Sequence, residues 1–174
     1  TGRGRSTRER WDAGVPKAMN YEWVGCYGET DVGHGANVRG LRTTGTVDAA
    51  TDEFVVHRRC LEATKYWPGG MGLLATHAVV YAQLGVGGKR LGVHNFLVQL
   101  RDLETHEPLA GISVGDLAPK LATNHNDNGY LALAGLRLPR PNHPHKHAQP
   151  APPPTHPPPA PPTAAPATLT RAPP

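Results

Sequence analysis

The stretch "LLATHAVVYAQLGVGGKRLGVHNFLVQL", Leu73 to Leu100, decides the reading of the fold. Two apolar runs rich in Val, Leu, Ala and Tyr flank "GVGGKR", Gly85 to Arg90. The adjacent Gly87 and Gly88 can both take the positive φ that a tight hairpin turn needs. Neither arm carries a 3.6-residue apolar period with caps, so the pattern predicts two paired strands and not a helix. "GVGGKR" has the outward look of a phosphate loop. It lacks the glycine spacing and the Ser/Thr that such a loop requires, so it is read as the hairpin turn.

Working outward, the same grammar recurs. "TTGTVD" and "EFVVHRR" flank "AATD", Ala49 to Asp52, a second hairpin signal. "EWVGCYG" is a short apolar run ending in glycine, and "GYLALAGLRL", Gly129 to Leu138, alternates at period two until Pro139. Only "WDAGVPKAMNYEW", Trp11 to Trp23, could end a helix. The fold class expected is all-β, a mainly antiparallel barrel or sandwich.

The ends read differently. Residues 141–174 hold fourteen of the nineteen prolines and no acid. Such a segment buries too little apolar surface to offset its ordering entropy, so a disordered or polyproline-like Pro/His/Ala-rich tail is expected. Residues 1–17 form a polar, Arg-rich head with five Lys/Arg against two acids. It is read as loop or as the remnant of a helical domain. The foldable domain is placed at residues 18–140, with eleven Lys/Arg against twelve acids. A basic head can meet nucleic acid. A solvated terminus is the preferred reading, and no nucleic-acid partner is expected. No run of eighteen apolar residues occurs, and no membrane span is expected. Cys26 and Cys60 are too far apart in sequence for a zinc-ligand pair and are read by default as buried thiols, with a disulfide as the alternative. No signal peptide is recognised, and the chain begins at Thr1, so the natural N-terminus is expected to lie further upstream.

Candidate chemistry is sparse. "NHNDNG", Asn124 to Gly129, imitates the start of a calcium loop, but the twelfth position is Gly135 and not Glu. A turn entering a strand is the better reading. "HPHKH" in the tail has no framework to hold a metal, and no metal site is expected. Two stretches remain. "GCYGETDVGHGANVRGL", Gly25 to Leu41, holds five glycines in seventeen residues, and "TKYWPGGMG", Thr64 to Gly72, sets Trp67 and Pro68 beside glycines. Glycine permits close backbone approach to a flat ligand. Thr30 offers a hydroxyl, and Trp67 offers a face for stacking. Two such strand ends could hold a planar ring. Two tight turns with a core Trp remain the alternative.

At these residues the sequence resembles the acyl-CoA oxidases, peroxisomal flavoproteins of the acyl-CoA dehydrogenase fold. The resemblance runs through "GCYGETDVGHGANVRGLRTTGTVDAATDEFVVH", "TKYWPGG", "THAVVYAQL", "GVHNFLVQLRDLETHEPLAGISVGD" and "DNGYLALAGLRLPR", in family order. It implies that residues 18–140 correspond to the family's middle β-domain, which lies between two helical domains. It implies FAD as cofactor. The Thr of the family's "Q-T-E-L-G-H-G" pattern falls on Thr30, and the first Gly of its "W-W-P-G-G" pattern falls on Gly69. Both positions are implied to contact FAD, with Trp67 lining the flavin region.

The implied activity is oxidation of fatty acyl-CoA to trans-2-enoyl-CoA with reduction of O2 to H2O2, in the peroxisome, by a homodimer. The final residues "RAPP" are not a peroxisomal C-terminal signal. The family's catalytic Glu belongs to a helical domain beyond the matched stretch, so no catalytic residue is assigned and the chain alone is expected to be inactive. Departures are Glu29 for the family's Gln, Tyr66 for its first Trp, and "RRCLEA" for a Ser/Pro/Thr-rich stretch. An anion such as Glu29 would disfavour reduced flavin if it faced the ring. The alternatives are a non-catalytic flavin-site module and a Pro-rich interaction protein, for which "PPPTHPPPAPP" has the chemistry.

Overall fold

The computed structural model of the chain describes residues 7–142. The Pro-rich tail and the "HPHKH" run therefore lie outside the described residues, apart from Pro141 and Asn142. Helix α1, Thr7–Met19, crosses the point at residues 17 and 18 where the sequence places the end of the head. Among the described residues it is followed by nine strands. These are β1 (Gly25–Gly28), β2 (Thr44–Asp48), β3 (Glu53–His57), β4 (Lys65–Gly69), β5 (His77–Val86), β6 (Lys89–Gln99), β7 (Ile112–Asp116), β8 (Asn128–Leu133) and β9 (Leu136–Pro139).

β5 organises the larger sheet. β6 lies antiparallel along one of its edges, from His77 opposite Gln99 to Val86 opposite Lys89, with a bulge between Leu84 and Gly85. Gly87 and Gly88 take φ of 55° and 79° at the turn, as the sequence predicts. The other edge is shared. β1 pairs with its first half and β2 with its second half, and both pairings are parallel. These two parallel ladders depart from the expected antiparallel pattern. Other strands intervene in the chain between β1 or β2 and β5, so neither is joined to it by a hairpin. The order continues β2–β3–β9. A second, smaller sheet runs β4–β8–β7. The structure is mostly strand, with sheets curled into a half-barrel.

"GYLALAGLRL" does not form the one strand its alternation predicts. Gly135, at φ 70°, breaks it into β8 and β9, which join different sheets. The run thus carries core residues from one sheet to the other. Leu131 and Leu133 pack from β8, Leu138 from β9, Phe54 and Val56 from β3, Val80 and Leu84 from β5, and Phe96 and Val98 from β6. Alternate residues of β5 and β6 point inward because successive side chains of a strand leave on opposite faces. Phe54 and Phe96 meet edge to face with centroids 5.2 Å apart. Gly45 lies under Phe96, and a Cβ there would stand 2.6 Å from Phe96 Cζ. Cys26 and Cys60 are free and half-buried. Burial pushes the Cys26 thiol up to about 12, partly offset by Arg101.

Candidate functional site

The two glycine-rich stretches singled out in the sequence are neighbours in space. Beyond β1 the chain runs against the segment that leads into β4. Val32 N–H donates to the Thr64 carbonyl at 2.8 Å, and Tyr66 N–H donates to the Thr30 carbonyl at 3.0 Å. Thr30 therefore lies beside Tyr66, and Gly69 follows three residues along the same strand. Lys65 locks the junction. Its ammonium donates to the Glu29 carbonyl at 2.8 Å and to Asp31 Oδ1 at 2.6 Å. Asp31 Oδ2 in turn accepts from the backbone N–H of Arg42 at 2.8 Å and of Thr43 at 3.3 Å. The Thr43 hydroxyl lies 3.1 Å from Asp31 Oδ1. Asp31, Thr43 and Lys65 are each 1% exposed, so the residues before and after Thr30 are fixed by a buried ion pair. Burial pulls the Lys65 ammonium below its ordinary value, and Asp31 opposes that shift.

Gly28, Gly33 and Gly40 serve packing more than backbone freedom, while a Cβ at Gly25 or Gly35 would meet nothing within 4 Å. None of Gly25, Gly28, Gly33, Gly35 and Gly40 is among the residues with positive φ. Gly33 is there for close approach: a Cβ would stand 2.8 Å from Glu62 Cβ, where Gly33 N–H donates to the Glu62 carbonyl at 3.0 Å.

The unusual backbone lies instead at "YWPGG". The register slips between Tyr66, opposite Tyr130, and Gly69, opposite Asn128. Trp67 and Pro68 therefore bulge over Gly129. Proline belongs at such a bulge because it has no N–H for the ladder. Trp67 takes φ 67°, a conformation that costs a bulky L-residue on the order of 1–3 kcal/mol. Its ring is 59% exposed. The expectation of a core Trp in the two-turn alternative is thus corrected: the bulge turns the side chain away from the core. Gly69 beside it is exposed, and a Cβ there would meet nothing within 4 Å.

The tripeptide "DNG", read in the sequence only as a turn entering a strand, holds this bulge in place. Asn128 Nδ2 donates to the Trp67 carbonyl at 2.9 Å, and Gly70 N–H donates to the Asp127 carbonyl at 2.6 Å. The Asp127 carboxylate accepts from the N–H groups of Leu73 and Leu74 at 3.0 Å. Gly129 faces the backbone of Gly72 so closely that a Cβ cannot be placed. Arg101, 4% exposed, donates to the carbonyls of Ala75 at 2.6 Å and Gly72 at 2.8 Å. Sequence reasoning missed Asp31, Lys65, Arg101 and Asp127 as framework of the site. The one legible signal was "DNG" just ahead of a strand.

Two further groups bear on the surface beside Thr30. The Tyr27 phenol is pushed well above its ordinary value, first by its hydrogen bond with Tyr81, then by burial, and then by the charges of Tyr81 and Glu29. The Glu29 carboxylate thus lies against Tyr27. Tyr27, Tyr66 and Trp67 are 54%, 45% and 59% exposed. Thr30 is half-buried, and among the described residues its hydroxyl makes no hydrogen bond. A free hydroxyl, a side-chain-free gap at Gly69 and the exposed Tyr66 and Trp67 of the same strand suit a flat ligand with a polar edge.

No family model matches the chain. Over 141 residues it is 48% identical to the peroxisomal acyl-coenzyme A oxidase 1 of Arabidopsis thaliana, covering 79% of this chain and 21% of that protein. It is 44% identical over 142 residues to the peroxisomal acyl-coenzyme A oxidase 1 of Bos taurus, covering 82% and 21%. The solved structure of Arabidopsis thaliana acyl-CoA oxidase 1 superposes with a TM-score of 0.78 at 46% identity, over 82% of this chain and 22% of that one. A Caenorhabditis elegans acyl-CoA oxidase-1 complexed with FAD and ATP also gives 0.78, at 42% identity over 82% and 22%. The chain spans about a fifth of the length of the curated relatives it matches.

Proposed function

The chain belongs to the acyl-CoA oxidase family, and from that premise we propose that it is the flavin-facing β-segment of a peroxisomal acyl-CoA oxidase. Residues 18–140 take the place of the domain between the two helical domains. The observation that carries this reading is the junction of Thr30 with β4, which sets Thr30 against Tyr66, three residues along the strand from the open gap at Gly69. Thr30 and Gly69 would hold FAD, with Trp67 beside them. Bound there, FAD supplies the two-electron chemistry by which a fatty acyl-CoA becomes a trans-2-enoyl-CoA while O2 becomes H2O2.

This chain's own part is positioning. The Thr30 hydroxyl would donate to a polar edge of the ring. The missing side chain at Gly69 would let the ring approach the backbone. The Lys65–Asp31 pair and the Asp127 brace keep both in register. Several carboxylates are committed to structure: Asp31 to Lys65, Asp127 to the backbone, and Asp48 and Glu53 to Arg137 at 3.0 Å each. None of these is assigned as the base, so no catalytic residue is named. In this reading the partner is a second copy of the longer protein.

The test is a chimera in which residues 18–140 replace the matching segment of the Arabidopsis enzyme. The chimera is expected to purify with flavin and to form peroxide from acyl-CoA. The same chimera with Gly69→Val is expected to fold and to lose its flavin. A chimera that melts cooperatively yet neither retains nor takes up flavin sinks the proposal.

A further inference from the structure

A concave groove of about 690 Å³ opens where three segments distant in sequence converge. They are residues 34–46, which run from the glycine stretch into the start of β2, the Arg59–Cys60 segment beyond β3, and the tip of the β5–β6 hairpin. Its lining carries five cationic side chains, Arg39, Arg42, Arg59, Lys89 and Arg90, together with His34, and no carboxylate. Residues 18–140 have eleven Lys/Arg against twelve acids, so nearly half of the cations of a charge-balanced domain gather in one place. Like charges brought together repel, and clustering of this kind is unfavourable unless an anion visits it.

The cations are available. Arg42 faces Glu62 across 3.9 Å, with both side chains about half exposed, which is a weak and solvated pair. Among the described residues, the charged ends of Arg39, Arg59, Lys89 and Arg90 make no ion pair or hydrogen bond, and all four residues are exposed at the rim. The floor beneath them is rigid. Leu41, Gln83 and Leu84 are buried, and Gln83 Nε2 donates to the Arg39 carbonyl at 2.8 Å, pinning the Arg39 turn to β5. Thr44 and Thr46 add hydroxyls along the wall. Guanidinium forks with neighbouring hydroxyls are the donor set that matches phosphate oxygens. No Phe, Tyr or Trp lines the groove, so nothing there is built to stack on a base or ring. The volume lies within the usual range for small-molecule sites.

We propose that this groove is a binding site for the phosphate groups of a small polyphosphate ester, held by Arg39, Arg59, Lys89 and Arg90. The assignment is separate from the flavin reading, because recognition rests on phosphate alone. ATP, coenzyme A and FAD all carry that chemistry. Separate titrations distinguish them.

The test is calorimetric titration of the full 174-residue chain with inorganic tripolyphosphate, then with ATP, coenzyme A and FAD. Tripolyphosphate is expected to bind saturably at one site per chain and to weaken as salt is raised. Replacing two charge-assisted contacts in an Arg59→Gln/Arg90→Gln variant is expected to weaken it by about tenfold or more. Both residues are exposed, so the variant keeps its melting temperature. Lys120→Gln, away from the groove, is expected to leave affinity unchanged. An ester that binds more tightly than tripolyphosphate identifies the organic half, and equal affinities mean that phosphate alone is read. The proposal is overturned by the absence of saturable tripolyphosphate binding, by equal loss in Lys120→Gln, or by tighter binding of a single-stranded RNA than of ATP.

Discussion

The Lys65 ammonium lies 2.6 Å from Asp31 Oδ1, and both residues are 1% exposed. This contact joins the segment carrying Thr30 to the strand carrying Gly69, thirty-four residues apart in sequence. Removing one partner leaves the other charge buried without compensation, at a cost of about 3–5 kcal/mol. Asp31→Ala should therefore lower the urea midpoint of unfolding sharply. Asp31→Leu combined with Lys65→Met should recover much of the loss, because apolar pairs of similar volume commonly replace buried ion pairs. A single variant no less stable than wild type would show that the pair is not what holds the junction.

Two glycines of the same site should respond in opposite ways. Gly129→Ala drives a methyl into the Gly72 backbone, and neither chain can yield by a rotamer change. Overpacking of this kind costs about 1–3 kcal/mol. Gly69→Val meets nothing within 4 Å, and its stability should stay within about 0.5 kcal/mol of wild type. Thermal melts of both variants check the contrast.

His77 stacks on Trp23 with centroids 4.0 Å apart, and burial, helped by the Lys17 charge, pushes its pKa down to about 4. The folded state thus holds neutral His77, while the unfolded chain protonates near the ordinary value of 6.5. Its contribution to stability is complete above pH 6.5 and declines as pH falls from there toward 4. The loss should be on the order of 3 kcal/mol. Substitution His77→Gln should flatten this part of the pH–stability curve. An unchanged slope would reassign the acid sensitivity to carboxylates.

Asp127 accepts the backbone N–H groups of Leu73 and Leu74 from across the sheet. Asp127→Ala should free the loop after β4 at a cost of about 1–3 kcal/mol. Amide exchange at Leu73 and Leu74 should accelerate by about tenfold or more while that at Val80 and Val98 changes only with global stability. Uniform acceleration across all four amides would mean that Asp127 supports the whole domain and not this loop.

Much of the fold was legible because it rests on local rules. The β5–β6 hairpin shows itself in two apolar arms around adjacent glycines, and the β2–β3 hairpin shows itself around "AATD". What was misread involved one residue with two compatible meanings. Gly135 in "GYLALAGLRL" keeps the period-two pattern intact on both sides, so alternation alone cannot show that the chain changes sheet there. Trp67 was similarly ambiguous. Composition favours burial, and only the slipped register at Pro68 turns its ring outward.

By itself, the sequence determined where strands and turns form, because side-chain period and φ preference are properties of neighbouring residues. Through its resemblance it also determined the family. Tertiary structure alone decided that β1 and β2 share one edge of β5, that Asp31 and Lys65 join the two glycine stretches, and that five cations from three separate segments line one groove. Each of these depends on long-range chain closure and burial, which bring together charges and hydrogen-bonding groups whose spacing along the chain carries no record of their contact.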